Sequence, residues 1–304
     1  MRCDYACGSF DHLQARRKFM GSLASGATLG GLGVLTRPLS AEQLKRKQKH
    51  VLVFNMAGGL SQLESWDPKP STATGGPFRA IPTSVPGIHI SELLPKTAEQ
   101  MHHLALVRSI NTQENDHGKG SFMMQTGRAQ MPGVSYPKIG AVAAKALSDN
   151  QNSLPGHIQI TPGGGGNRGN DSAYLGPKYS SVVLGNGNPP KNSQRPESLS
   201  EEADQRRNEL RRRMNDLFAN RRRTAMTDAY TASYEQALDL MHRREVFDVT
   251  KESKKDQDRY GSHDFGRHCL LARRLLERGI TSVSYTHLRA HETRHDLVCR
   301  LLLE

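Results

Sequence analysis

"VLVFNMAGGLSQLESWDPKP", Val51 to Pro70, decides the fold. Its first six residues form a continuous apolar run, and Gly58-Gly59 end it, as a buried strand running into a tight turn would read. The hydroxyl of Ser61 and the carboxylates of Glu64 and Asp67 follow within a few residues. In an open α/β sheet, ligands bind beyond the carboxyl ends of strands, so Gly59 and Ser61 stand where a ligand site is built. A purely structural reading competes with this one. In it Ser61 caps a helix and Asp67-Pro68 makes a turn.

Working outward, "LALVRSI" (Leu104 to Ile110) reads as a second buried strand and "HIQI" (His157 to Ile160) as another. "YPKIGAVAAKAL" predicts a helix from Pro137 to Leu147. The stretch from Asp67 to Pro86 is rich in turn formers, and Gly163 to Pro196 is too polar to fold by itself and reads as a loop. From Ser198 the pattern becomes helical, with Ser198 and Glu201 at capping-box spacing. Leu210, Met214, Leu217 and Phe218 recur at helical turns, and Tyr230, Tyr234, Leu238 and Met241 continue a stripe, all expected to be core contacts. A helix over His263 to Arg278 stops at Gly279 and hands over to the strand "ITSV". Strands alternating with helices predict an α/β fold, a mostly parallel sheet flanked by helices.

The 304 residues carry a net charge of +12. Residues 1–41 hold five Lys/Arg against two Asp/Glu and supply +3 of it. The basic remainder favours anionic surfaces or substrates. The Arg runs at 211–213 and 221–223 alternate with acids and lack interleaved aromatics, which argues against specific nucleic-acid binding and for solvated helix faces. Docking of those helices to an acidic partner or polysaccharide is the other reading. Cys269 is the one cysteine between the two end segments described below, which excludes a disulfide framework there. In "HCLLARRLLERG" it reads as a small buried hydrophobe.

Both ends are expected to stand apart from the domain. Residues 1–41 contain Arg16-Arg17, an uncharged stretch from Met20 to Leu35 and a small-residue patch near Ser40-Ala41, the parts of an export signal. Phe19 and Met20 make it resemble a twin-arginine signal, which implies an exported, periplasmic or envelope protein without a transmembrane span once cleaved. An uncleaved anchor is the other reading. From about Val283, "VSYTHLRAHET" resembles the read-through translation of a sequencing-library adapter, so residues 283–304 are expected to be foreign, leaving 42–282 as the domain, incomplete at its C-terminus. The "HETRH" at 291–295 fits the H-E-x-x-H zinc-protease pattern and is read as chance.

The second chemistry-bearing segment is "NTQENDHGKGSFMMQTGR", Asn111 to Arg128. Asp116, His117, Gly118 and Lys119 lead into a helix whose first amides, with two glycines and a lysine, suit an anion. Asp116 and His117 are candidates for general acid-base work or for ligating a divalent metal such as zinc, manganese or calcium. The alternative is Asp116 as an N-cap with an exposed histidine beside it.

"GGLSQLESWDPKP", "DHGKGSFMMQTGR" and "YGSHDFGRHCLLARRL" resemble a bacterial exported family known as domain-of-unknown-function family 1501, often labelled sulfatase-like. The resemblance runs from Arg16 to about Ser282. It implies an alkaline-phosphatase-like fold and metal-dependent hydrolysis of phosphate or sulfate esters. His117 would then be nucleophile or metal ligand, Lys119 and Gly118 would hold the ester oxyanion, and Arg128 would support the loop. The ligand would be an anionic small molecule or glycan ester. Sulfatases carry C-x-P-S-R before L-T-G-R. Here Thr126-Gly127-Arg128 keeps the end, but the nucleophile position falls on His117 and the arginine position on Ser121. Gly58-Gly59 stand where the superfamily places its first metal carboxylates. A non-catalytic anion- or glycan-binding accessory protein on the same scaffold is therefore the alternative.

Overall fold

The computed structural model describes residues 49–57, 61–73, 75–148, 154–162, 171–190, 193–222 and 224–288. The signal-like stretch, Gly58-Gly59, the glycine run at 163–170 and the "HETRH" segment lie outside these residues.

Four parallel strands form the central sheet in the order β1-β6-β4-β5. They are β1 (Val51–Ala57), β4 (His157–Ile160), β5 (Val182–Leu184) and β6 (Ser282–Leu288). Val51 pairs with Ser282 and Ala57 with Leu288, so β1 and β6 match along their full length. β6 begins where "ITSV" predicts a strand. It runs on through residues expected to stand apart as a tail, and Val283 and Tyr285 are fully buried in it. The sheet is parallel and helix-flanked, as expected of an alternating chain.

Strand alternation assigns each residue a face. Ile158, Ile160, Val283 and Tyr285 meet Leu271, Ala272 and Leu275 of α7 (Asp264–Glu277) in the main apolar core. His157 and Ser284 turn the other way, towards α3 (Ile139–Leu147). The buried face of α3 is Gly140, Ala141, Ala143 and Ala144, small enough for close approach to the sheet. The N-cap of α7 is His263, whose Nδ1 accepts from the Gly266 amide at 2.9 Å. Its end is marked by Gly279 at φ +99°, a conformation that favours glycine. Arg274 is buried on this helix. It donates to the carbonyls of Val246 and Glu245 and pairs with Glu252.

A second, smaller core gathers Ile90, Leu94, Ala98 and Met101 from the hairpin β2 (Ala80–Pro82) and β3 (His89–Ser91) and from α1 (Pro95–Glu99) with the turn after it. Trp66 and Leu106 pack against it. This hairpin falls in and just after the stretch read from composition as turns.

The segment Leu104 to Ile110 is not a strand of either sheet. Leu104, Val107 and Ile110 are exposed. Leu106 instead joins the small core, and the Arg108 guanidinium is tied to backbone carbonyls of other segments, which hold this stretch away from the central sheet.

Two long helices, α4 (Glu201–Arg222) and α5 (Ala225–His242), form a hairpin, followed by α6 (Lys254–Tyr260). The serine that caps α4 is Ser200 rather than Ser198: the Ala203 amide donates to Ser200 Oγ at 3.2 Å. The apolar residues of α4 are not core contacts, since Leu210, Met214, Leu217 and Phe218 are each more than half exposed. Tyr230 and Tyr234 of α5 are exposed as well, while Leu240 reaches the main core. Among the described residues no helix is long and apolar enough to cross a membrane.

Candidate functional site

The loop leaving β1 is built by local bonds. Ser61 Oγ accepts from the Leu63 amide at 3.2 Å and caps the short turn Gln62–Glu64. Ser65 Oγ donates to the Ser61 carbonyl at 2.7 Å, and the Asp67 amide to the Gln62 carbonyl at 2.8 Å. These bonds fix Trp66 between two turns. The half-buried indole rests on the small core.

Arg108 closes the loop from outside. Its Nε donates to the Trp66 carbonyl at 2.9 Å and its Nη2 to the His89 carbonyl at 2.5 Å. Asp67 Oδ1 lies 3.5 Å from Arg108 Nε and accepts from Lys69 Nζ at 2.8 Å. Between the two segments lies a groove of about 510 Å³, lined by Gln62, Trp66 and Asp67 on one side and by Leu104 to Arg108 with Ile110 on the other. Its lining combines an aromatic residue, apolar walls, a cation and an anion.

The second segment forms α2 (His117–Thr126). Asp116 caps it, with Oδ1 accepting from the Lys119 amide at 2.8 Å. That amide, foremost, holds the Asp116 carboxyl below its ordinary value against slight desolvation, aided by the Gly118 amide and the nearby Lys119 and His117 charges. The first-turn amides thus already carry a carboxylate, and any external anion here competes with Asp116. Gly127, at φ +68°, ends the helix, and the Arg128 amide donates to Thr126 Oγ1 at 3.2 Å. Asp116, His117, Gly118, Lys119 and Arg128 are all exposed. Among the described residues no hydrogen bond or ion pair joins Asp116, His117 or Lys119 to Ser61 or to the groove. Of the residues singled out from sequence, Ser61 stands at the base of the groove loop, and Gly59 lies outside the described residues.

A divalent ion needs several donors converging on one point. Asp116 and His117 are adjacent on one exposed turn, and among the described residues no group of three or more His, Cys, Asp or Glu side chains could hold a metal. The described residues do not by themselves make up a metal site.

Two features have only a faint signature in the sequence. Arg108 lies inside an apolar run, and a lone cation in such a run is its one signal. The other feature is buried. His157 Nε2 lies 3.0 Å from Ser284 Oγ, and its Nδ1 lies 3.2 Å from Asp171 Oδ2 but off the hydrogen-bonding line. The order of groups is that of a serine nucleophile, base and orienting acid. Yet His157 and Asp171 are 2% and 1% exposed, so no substrate reaches them. Burial pushes the Asp171 carboxyl up, but His157 and the Ser181 amide outweigh it and hold the group below its ordinary value. The neighbouring Lys138 is pushed down by burial, against the Asp171 charge. This network ties α3 and the turns after Asp171 to the sheet.

No curated protein and no solved structure matches this chain. A family model described as "Protein of unknown function (DUF1501)" matches residues 48–291, which span β1, the groove, α2, the helical hairpin and β6. Four-fifths of the sequence fits one family pattern, and the chain belongs to that DUF1501 family.

Proposed function

We propose that the protein binds an anionic ester, a phosphate or sulfate ester of a small molecule or glycan, in the groove beyond the carboxyl end of β1. One observation carries this reading: Trp66 and Arg108, 42 residues apart in sequence, converge on one groove. An indole face stacks on a sugar or aryl ring, and the guanidinium attracts the charged group. Export by the twin-arginine-like leader would place the protein in the periplasm or cell envelope.

Binding without turnover is favoured because the groups that chemistry would use are otherwise engaged. Ser61 Oγ caps its own turn, and the Lys119 amide holds Asp116. Hydrolysis is the second reading, supported by the alkaline-phosphatase-like fold that the resemblance to family 1501 implies and by a loop that follows the carboxyl end of a parallel strand. In that case exposed His117 is the residue to test.

Trp66 is the sole tryptophan, so its fluorescence reports on the groove alone. Titration with 4-nitrophenyl sulfate, 4-nitrophenyl phosphate and a sulfated oligosaccharide should give a saturable change that Arg108→Ala abolishes and Arg108→Lys weakens. No saturable change with any probe, or equal affinity in Arg108→Ala, overturns the proposal. Release of nitrophenolate, lost in His117→Ala, would establish hydrolysis.

A further inference from the structure

The α4–α5 hairpin packs against expectation. α4 turns Asp204, Asn208, Arg211, Asn215 and Ala219 inward, all half-buried, and leaves Leu210, Met214, Leu217 and Phe218 in solvent. The inward bonds are polar: Arg211 and Arg212 pair with Glu235 of α5, and Asn215 Nδ2 donates to Thr231 Oγ1 at 3.4 Å. A helix of this length normally faces its apolar stripe to the core. Here the stripe, at spacings i, i+4, i+7 and i+8, stands in solvent beside the seam.

Arginines border the stripe. At 3.6 residues per turn, exposed Arg206 and Arg213 lie along one edge, exposed Arg207 and Arg221 lie close to its line, and exposed Arg222 lies along the other edge, while Arg211 on that side is turned inward to Glu235. The acids Glu209 and Asp216 fall well round the helix from it. Across the seam, Arg211 sits 4.8 Å from the ring centre of Tyr234, which packs on Tyr230 at 4.7 Å. The aromatic pair thus continues the patch onto α5.

We propose that this face of the hairpin lies on an anionic lipid surface. The Leu210, Met214, Leu217 and Phe218 side chains would enter the headgroup boundary, with the flanking arginines on lipid phosphates. Charge selects this occupant. A second copy docked through the same face would bring its arginines against these, and like charges repel. An anionic bilayer complements the arginines, and the convex face of a helix suits a fluid surface. Tyrosines at the rim have an apolar body and a polar tip, as an interface favours. The inference is independent of the groove.

The test uses the full chain and its Leu217→Gln/Phe218→Gln variant, which share residues 1–41, so any contribution of the leader cancels in the comparison. Both residues are about half exposed, and matching thermal melts should show that the fold is kept. In flotation with phosphatidylcholine vesicles with or without phosphatidylglycerol, the unaltered chain should bind the anionic vesicles, and more weakly as salt rises. The variant should bind at least about tenfold less tightly. Equal binding by the two chains, or no preference for anionic lipid, overturns the proposal. So does a variant that changes only the oligomeric state, which would assign the face to a second copy.

Discussion

Gly140 and His157 approach so closely that a Cβ on the glycine would stand 2.2 Å from the imidazole Nε2. Helix propensity alone favours alanine over glycine inside α3 by about 1 kcal/mol. The imidazole opposes it, because His157 is held between Ser284 and Asp171 and cannot swing aside without giving up both. Overpacking of this kind costs about 1–3 kcal/mol. Gly140→Ala should therefore lower the midpoint of urea unfolding. A raised midpoint would show that propensity wins and that α3 does not press on β4.

Asp171 gives a dependence on pH with a definite sign. Its carboxyl is held below its ordinary value in the folded chain. Its contribution to stability is therefore complete above the unfolded-state value of about 3.9 and is lost as pH falls through the lower folded value. Asp171→Asn removes that contribution at neutral pH and leaves the Ser181 amide facing a neutral side chain in place of a carboxylate. The variant should be less stable at pH 7 by about 1–3 kcal/mol. The gap between the two unfolding midpoints should close as the solution is made more acidic than about pH 4. A gap that stays constant on acidification would mean that the carboxylate charge does not stabilise the fold.

Local patterns carried most of the sheet, while the site depended on distant partners. β1 is a run of apolar residues closed by glycines, and α7 has a cap and a stop, so both were legible. The Asp116 cap was legible too, as one of two readings of the same residues. "LALVRSI" has the composition of a buried strand, but whether such a run enters a sheet depends on partners, and Arg108 holds it elsewhere. The helical stripe at Leu210 to Phe218 has the spacing of a core face. Spacing specifies which residues share a side, not what that side meets. The groove was not readable, because Trp66 and Arg108 lie 42 residues apart and meet only once the chain has folded, through a bond from a side chain to a distant carbonyl.

Cys269 sits on α7 against the main core, and burial alone pushes its thiol up to about 12. The thiolate is the reactive form, so the folded chain should protect this cysteine at ordinary pH. Iodoacetamide at pH 8 followed by peptide mapping should leave Cys269 unmodified in native buffer and label it in urea. Rapid native labelling would mean that α7 opens locally far more often than its packing implies.

Glu235 links the two helices of the hairpin. Arg212 meets it with two bonds, Nε to Oε1 at 3.1 Å and Nη2 to Oε2 at 2.7 Å, and Arg211 adds a third at 2.5 Å. The Arg212 bonds, foremost, bring the Glu235 carboxyl down to about 2, against partial burial and with help from Arg211. The sign again favours neutral pH. The stabilisation is complete above the unfolded value of about 4.3 and disappears as pH falls towards about 2. Glu235 is over a third exposed on its side chain, so screening limits the pair to about 0.2–1 kcal/mol. The effect should appear locally rather than globally, because α4 packs chiefly on α5. Glu235→Gln should speed hydrogen exchange of α4 amides by up to about fivefold at pH 7 and leave β4 and α7 unchanged. Raising salt should speed exchange in the unaltered chain towards that of the variant. If α4 exchanges at the same rate in both chains, the ion pairs do not hold the hairpin, and its order must come from the Asn215–Thr231 contact and the half-buried Ala219 instead.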